Sequence, residues 1–378
     1  MNLIYELIEE IHRTAEDPYK QIEIAKNNGR KIVGCVPYFV PLELVHASGM
    51  QPVELWGKEV STGAAGSYYP AFYCSLLFAL MENALEGRYD DLSAVIIPTT
   101  CDGLRNLEEN WKFARPGTTV IDYVQPAVRN TAEAHLYNKG QIKRIANKLE
   151  EVAGAKITEK AIRESINLYN NHRRSMRLFS EIAAKHADIV TPLVRRDFYA
   201  AARSMPIEKH LALVQKMNTE LLKLPEYTPK ETKIILTGIL VDSPALLLEL
   251  EKNNIAVVGD LTVAESIRYN FDVPKRIDPY DSLAELWESV EGASVALDPQ
   301  KKRGLLLSTL VKERKADGVI ACIVKFCEEE EFDVPVLKKQ LAEVDIPLLV
   351  LEMETQKGTS EQISTRIQAF AELMRSRV

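Results

Sequence analysis

The sequence predicts an α/β protein with two parallel-sheet domains and a helical domain or layer between them. Short, unbroken apolar runs alternate with helix-periodic stretches from residue 31 to 124, and the alternation returns after residue 231. Strands that are apolar throughout, rather than at every second residue, belong to parallel sheets covered on both faces. Between these blocks, from about 130 to 224, the chain is long, charged and helix-periodic, with almost no β-type runs. The expected divisions are an N-terminal helical segment at 1–30, a first α/β domain at 31–129, a helical region at 130–230 and a second α/β domain at 231–378.

The elements follow in order. MNLIYELIEEIHRTAEDPYK reads as an amphipathic acidic helix. KIVGCV is a strand, VPLELVHASG a helix ended by Gly49, and QPVELWG a second strand. SLLFALMENALEGRY has apolar residues at i, i+3 and i+4 and reads as a helix. DLSAVIIPTTC is a strand running into a loop, DGLRNLEENWKF a helix and TTVIDYV a strand. GQIKRIANKLEEVAG, ITEKAIRESINLYNNHRRSMRLFSEIAAKHAD and PIEKHLALVQKMNTELLKL form the helical region. After the turn-rich LPEYTPKET, KIILTGIL is a strand, SPALLLELEKNN a helix, IAVVGD a strand and LTVAESIRYN a helix. PQKKRGLLLSTLVKERKADG reads as a helix, VIACIV as a strand, PVLKKQLAEVD as a helix and IPLLVLEME as a strand. A last helix carries ISTRIQAFAELM.

Composition narrows the partners. Lys+Arg 47 against Asp+Glu 54 gives a formal charge of −7 over 378 residues. That mild acidity argues against nucleic acid or an anionic membrane, both of which need a basic field. No apolar stretch approaches the roughly 20 residues that span a bilayer, and the N-terminus lacks the basic and apolar regions of an export signal. The expectation is a cytoplasmic protein.

Five cysteines stand at 35, 74, 101, 322 and 327. An odd number in such a chain is no disulfide framework, and there is no C-x-x-C. The plain alternative is free cysteines packed as small hydrophobes. Position separates them. In open parallel sheets, ligands bind beyond the carboxyl ends of the strands, and Cys101 after VIIPTT and Cys327 after VIACIVKF both fall there. Cys74 opens a helix, where the backbone dipole favours thiolate. Three thiols at element ends around one cleft suit a soft metal or an iron–sulfur cluster. Cys322 lies inside an apolar strand and reads as packed; Cys35, at a strand end beside VPYFVP, is the alternate ligand. Glu328 to Glu331 read as a solvated helix start that complements the dipole. The six histidines show no base-and-nucleophile arrangement, and no glycine-rich nucleotide motif follows a strand.

GCVPYFVPLELVHASGMQPVELWG, AFYCSLLFALMENALEGRYDDLSAVIIPTTCDGLRNLEENWK, TGILVDSPALLLELEKNNIAVVGD and ADGVIACIVKFCEEEEFDVPVLKKQLAEVDIPLLVLEME closely resemble the (R)-2-hydroxyacyl-CoA dehydratases, a family that includes benzoyl-CoA reductase subunits. The likeness runs from about residue 30 to the end. It implies two Rossmann-like domains plus a helical one, and a heterodimer of homologous subunits. It also implies a 4Fe–4S cluster on Cys74 (in YC), Cys101 (in TTC) and Cys327 (in KFC), with one iron left open or bound by a non-protein ligand. The implied reaction removes water from an (R)-2-hydroxyacyl-CoA to give the (E)-2-enoyl-CoA. An electron injected by a separate ATP-dependent iron–sulfur activator makes a ketyl radical anion that expels the α-hydroxyl, and the electron then returns. In the family the substrate-bearing, alpha-type subunit has a serine near the first strand end. Here that stretch is Gly34-Cys35-Val36-Pro37-Tyr38, and together with the short length this resembles the beta-type subunit. The resemblance thus implies electron relay or storage and names no catalytic acid or base in this chain. A benzoyl-CoA reductase-type subunit and the alpha-type subunit are the alternatives.

Overall fold

A computed structural model describes residues 2–37, 39–57, 63–228, 230–354 and 361–377. Two helices open the chain, α1 (Asn2–Glu16) and α2 (Pro18–Asn27). The first α/β block follows as β1 (Ile32–Cys35), α3 (Leu42–Ala47), β2 (Gln51–Glu54), α4 (Ser75–Leu85), β3 (Ala94–Pro98), α5 (Asp102–Ala114) and β4 (Thr119–Tyr123). Four helices come next: α6 (Ala132–Ala153), α7 (Glu159–Ala183), α8 (Pro192–Ala201) and α9 (Ile207–Leu221). The second block holds β5 (Thr232–Gly238), α10 (Pro244–Lys252), β6 (Ile255–Thr262), α11 (Pro279–Glu288), α12 (Arg303–Arg314), β7 (Gly318–Val324), α13 (Glu328–Ala342), β8 (Leu348–Met353) and α14 (Glu361–Ser376).

The strands form two four-stranded sheets, β2-β1-β3-β4 and β6-β5-β7-β8, with every neighbouring pair parallel. The expected α/β class is therefore the observed one. Every residue of β1, β3, β6 and β7 is buried, as unbroken apolar runs require when helices cover both faces. In each sheet the strand order reverses once, between β1 and β3 and between β5 and β7. Such switch points leave a crevice at the carboxyl ends of the strands.

Alternation along the strands sorts the core. Val95 and Ile97 of the first sheet and Ile235, Val319 and Ala321 of the second share one apolar cluster, so the two sheets are packed through a common core. The opposite face of the first sheet carries Val33, Cys35 and Ile96 against Ile142, Ile145 and Leu149 of α6 and Leu283 of α11. The opposite face of the second carries Ile234, Ile320 and Cys322 against Leu247 of α10 and Phe370 of α14. A fourth cluster joins α1 (Ile4, Leu7, Ile11), α7 (Phe179), α8 (Phe198) and α9 (Val214, Met217).

Among the segments that differ from the sequence expectation, which also include α2 and α8 as helices it passed over, two belong to the second block. LTVAESIRYN does not form a helix: Leu261 and Thr262 complete β6, and only Ser266–Tyr269 makes a short 3₁₀ turn. The cause is Asp260. Its carboxylate accepts the Thr262 and Ser266 N–H groups at 3.0 and 3.1 Å, and its carbonyl accepts the Ser266 hydroxyl at 2.7 Å. Those bonds give the backbone an alternative to helix, and the buried Arg195 ties both Asp260 and Glu265 down. The second is α11, which the strand–helix reading passed over. It is short, but Asp278 caps it with Pro279 at its first position, the sequence mark of a helix start.

Buried charge also fastens the helical layer. Arg195, Arg196 and Arg203 are all at most 6% exposed. Arg195 bonds to Asp260, while Arg196 and Arg203 share Asp242, so α8 and the turn after it are tied to the ends of β5 and β6. Beside them His210 Nε2–H donates to the Phe198 carbonyl at 2.8 Å, so its Nδ1 accepts from His172 Nε2–H, also at 2.8 Å. Burial holds His210 at about 4 and His172 well below its usual value, and the neighbouring His210, Arg173 and Arg268 push His172 the same way. Both rings are neutral when folded near pH 7, whereas the unfolded chain takes up these protons near pH 6.5. The unfolded state then binds more protons, so stability is full above about pH 6.5 and falls as pH drops toward 4. Thermal melts across that range will show a falling midpoint, and His172→Gln, which keeps the donor but cannot titrate, will have a shallower slope.

Candidate functional site

Cys74, Cys101 and Cys327 are each the N-cap residue of a helix, α4, α5 and α13 respectively, and in none does the sulfur cap its own helix. Cys101 follows β3 and Cys327 follows β7, so both sit beside the switch-point strands of different sheets. All three belong to or pack against the apolar cluster that the two sheets share. The first-turn amides of Leu76 and Leu77 favour the anionic form of Cys74, those of Gly103 and Leu104 that of Cys101, and that of Glu330 that of Cys327. The negative end of each thiol thus meets the positive end of a helix.

Local contacts bring the starts of α4 and α5 together. A Cβ on Gly103 would lie only 2.4 Å from Leu77 Cδ1, so α5 starts tight against α4. Asn106 of α5 also donates to the Tyr73 hydroxyl, next to Cys74. Cys74 lies within electrostatic reach of both Cys101 and Cys327, and Glu329 within reach of all three sulfurs. The Cys327 thiol donates to Glu329 Oε2 at 3.5 Å. Phe326, just before it, has φ +64°, an uncommon left-handed conformation for a bulky residue. It turns the chain sharply from β7 into α13, and its N–H is held by Glu331 Oε1 at 2.9 Å.

The charge run at 328–331 is not the solvated face its sequence suggested. Glu328 and Glu331 are exposed, but Glu330 has no exposure at all. Its Oε2 accepts the N–H groups of Val324 at 3.3 Å and Ile239 at 3.4 Å; its Oε1 accepts from the Ser294 hydroxyl at 3.3 Å and Arg303 at 3.4 Å. Arg303 is also buried, and bonds to Thr237 and Asp333. One carboxylate therefore ties α13 to the ends of β5 and β7. The signal available in the sequence was a glutamate three residues after an N-cap, the spacing of a capping box.

The other two cysteines are elsewhere. Cys35 is 1% exposed and faces the α6 side of the first sheet, while Cys322 is fully buried on the α10/α14 side of the second. Neither is on the face that carries the three N-cap thiols. Tyr38, which closes the first strand-end stretch, lies outside the described residues; Cys35, Val36 and Pro37 present no hydroxyl there.

The dipole does not win over burial. Loss of solvent pushes the Cys101 thiol up to about 12 and raises Cys74 and Cys327 as well, and Glu329 adds to each, against the opposing pull of the helix amides. Without a cation these are protonated thiols, not nucleophiles; a bound metal centre would displace the protons. Among the described residues, the one trio of ligand-type atoms close enough to share a single ion is His12, Glu16 and Asp197. Arg196 already bonds both of those carboxylates. A cubane asks something different of its ligands, since each thiolate takes its own iron and the sulfurs stand apart. Next to the thiols a cleft of about 320 Å³ is lined by Thr99, Thr100, Arg105, Lys301, Arg303 and Glu329. The buried Thr99 and Thr100 hydroxyls have no hydrogen-bond partner among the described residues. None of the three cysteines lines this cleft; Thr100 adjoins Cys101 and Glu329 lies two residues from Cys327, and three thiols are the donor type an iron–sulfur group takes.

Two parallel sheets, with cysteines at the starts of the helices that follow β3 and β7 and of α4, define an α/β subunit of two packed sheets. Residues 37–374 match the family described as 2-hydroxyglutaryl-CoA dehydratase, D-component. The chain is 39% identical to the (R)-phenyllactyl-CoA dehydratase beta subunit of Clostridium sporogenes, covering 95% of this chain and 96% of that one. It is 31% identical to the beta subunit of (R)-2-hydroxyglutaryl-CoA dehydratase from Acidaminococcus fermentans, over 97% and 98% of the two chains. Against a benzoyl-CoA reductase subunit of Thauera aromatica the identity is 26%, over 97% and 95%. The chain belongs to this family of 2-hydroxyacyl-CoA dehydratase subunits, which are hydro-lyases.

Removing Arg303 leaves Glu330 as an uncompensated buried carboxylate. Arg303→Met will cost about 3–5 kcal/mol in urea unfolding, and adding Glu330→Leu will recover most of that loss.

Proposed function

We propose that this chain is the beta-type subunit of an (R)-2-hydroxyacyl-CoA dehydratase, an enzyme that removes water from the hydroxyacyl thioester to give the (E)-2-enoyl-CoA. In this reading Cys74, Cys101 and Cys327 hold a 4Fe–4S cluster, a homologous alpha-type subunit completes a heterodimer, and an ATP-dependent iron–sulfur activator supplies the electron. What supports it is that three cysteines on two different sheets each stand at the N-cap position of a helix, with Glu329 within electrostatic reach of all three. Greater identity to a dehydratase beta subunit than to the benzoyl-CoA reductase subunit supports the dehydratase reading over the ring-reducing one.

A cluster bound there supplies one-electron chemistry, storing or relaying the electron that a ketyl radical route needs. The chain's own residues do the rest. The amides of Leu76, Leu77, Gly103, Leu104 and Glu330 oppose the negative charge that the thiolates carry once deprotonated. The shared apolar core excludes water from behind the sulfurs, and the Glu330–Arg303 bonds keep α13, with Cys327 at its start, seated on the second sheet. Phe72, Phe326 and Phe332 are exposed close in sequence to Cys74 and Cys327, and an apolar rim of this kind suits a partner subunit over the cleft mouth. No residue here is assigned as an acid or base toward the substrate, in keeping with a relay rather than a substrate-bearing role. No helix among the described residues is long and apolar enough to cross a membrane.

The test is iron and acid-labile sulfide in anaerobically purified protein. Cys74→Ser, Cys101→Ser and Cys327→Ser will each lower both sharply and abolish dehydration with the partner subunit and activator present. Cys35→Ala and Cys322→Ala will retain the full content. Wild-type protein free of iron and sulfide would end this reading.

A further inference from the structure

A second cavity, of about 60 Å³, lies where the edge of the first sheet meets the helical layer. Its walls include Glu54 of β2, Tyr169 and Arg173 of α7, Arg203 after α8, and Arg268 and Tyr269 of the short 3₁₀ turn that follows β6. Tyr169, Arg173, Arg203 and Tyr269 are each only 6% exposed. The Glu54 N–H donates to the Arg203 carbonyl at 2.7 Å, which joins the edge strand to the helical layer at this point.

The polar groups here are incompletely bonded. The Tyr169 and Tyr269 hydroxyls make no hydrogen bond among the described residues, and burial keeps both protonated, so both are free to donate. Arg268 gives Nη1 to Glu54, while its Nε and Nη2 have no partner among the described residues. Arg203 gives Nη1 to Asp242 at 2.6 Å, and its Nε and Nη2 are buried without one. Arg173 is matched to Glu43 and Asn170. Positive charge is in surplus: Arg173, Arg203 and Arg268 line the cavity against Glu43 and Glu54, and the exposed Arg30 and Glu208 offset one another. Asp242 does not line this cavity and is shared with Arg196.

A single water needs roughly 10–15 Å³, so the space takes either a group of waters or one small anion. Waters would satisfy the donors and leave the extra cation, whereas an oxyanion answers both. Arg268 lies within electrostatic reach of both tyrosines. Its Nε and Nη2 are the side-on pair of donors that matches two oxygens of one anion. We propose that this cavity binds one small oxyanion, a carboxylate or inorganic phosphate, held by the free edge of Arg268 and the hydroxyls of Tyr169 and Tyr269, with Arg203 supplying the balancing charge. The site involves none of the three helix-start cysteines and stands apart from the cluster reading. An anion bound there ties β2 to α7 and to the second block, and stabilises the fold by mass action.

The experiment uses the assembled complex in a zwitterionic buffer, with the partner subunit unchanged. Uptake of radiolabelled phosphate and of radiolabelled acetate is measured by equilibrium dialysis at constant ionic strength, beside thermal melts. Wild type will take up one of these anions or both saturably, and the one that binds distinguishes phosphate from carboxylate. A variant carrying Tyr169→Phe and Tyr269→Phe loses only hydroxyls that bond to nothing, so without anion it will melt as the wild type does. It will hold one equivalent of the anion roughly tenfold more weakly or worse, the scale of a hydrogen bond to a charged group. Arg268→Lys, which keeps the charge beside Glu54 and removes the paired donors, will weaken the same equivalent. The anion will raise the melting midpoint of the wild type and not that of the double variant. Wild type that takes up neither anion, or uptake that the double variant matches, overturns the assignment and leaves a cavity filled by water alone.

Discussion

The buried carboxylate of Glu330 is the interaction on which the cleft depends. A charge with no exposure is tolerable only when every oxygen is bonded and a cation is near, and Glu330 meets both conditions through Ile239, Val324, Ser294 and Arg303. Each of those partners stands at the end of a strand or on a segment that crosses the cleft floor. Without this anchor the first turn of α13 has no reason to lie against β5 and β7, and Cys327 has no fixed direction. The strained Phe326 is acceptable for the same reason, since the contacts on either side over-determine it.

Strand polarity does the remaining positioning. In a parallel sheet all carboxyl ends face one way, so the helices that follow present their amino ends to one side. The first sheet delivers Cys101 there directly from β3, and packing of α4 against α5 adds Cys74. The second sheet delivers Cys327 from β7. Because the two sheets share a core, the sides meet. Three helix-start cysteines, no two of them close together in sequence, thereby belong to or pack against one core. Burial then decides their chemistry. It outweighs the helix amides and keeps the free thiols protonated.

Polar burial is also where reading from sequence met its limits. Arg195, Arg196 and Asp197 on α8 look like a solvated stripe, yet all three are nearly fully buried, bonded between the helical layer and the second sheet. LTVAESIRYN, with Glu265, reads as a helix, yet the pairing of Asp260 and Glu265 with Arg195 folds it into a strand end and a turn. A charged residue is read as exposed by default because burial of a lone charge is so costly; the default fails when the partner comes from a distant element.

The sequence by itself determined the alternation of parallel strands and helices, and placed Cys74, Cys101 and Cys327 at element ends and Cys322 inside a strand. Apolar runs and N-terminal positions are local properties, legible at the residue that carries them. Only the tertiary structure decided that the two sheets share one core, that Cys35 and Cys322 face away from the other thiols, and that Glu329 and Glu330, adjacent in sequence, part company. Those outcomes turn on which face of a sheet meets which helix and which buried cation finds which carboxylate, and such pairings join residues far apart along the chain.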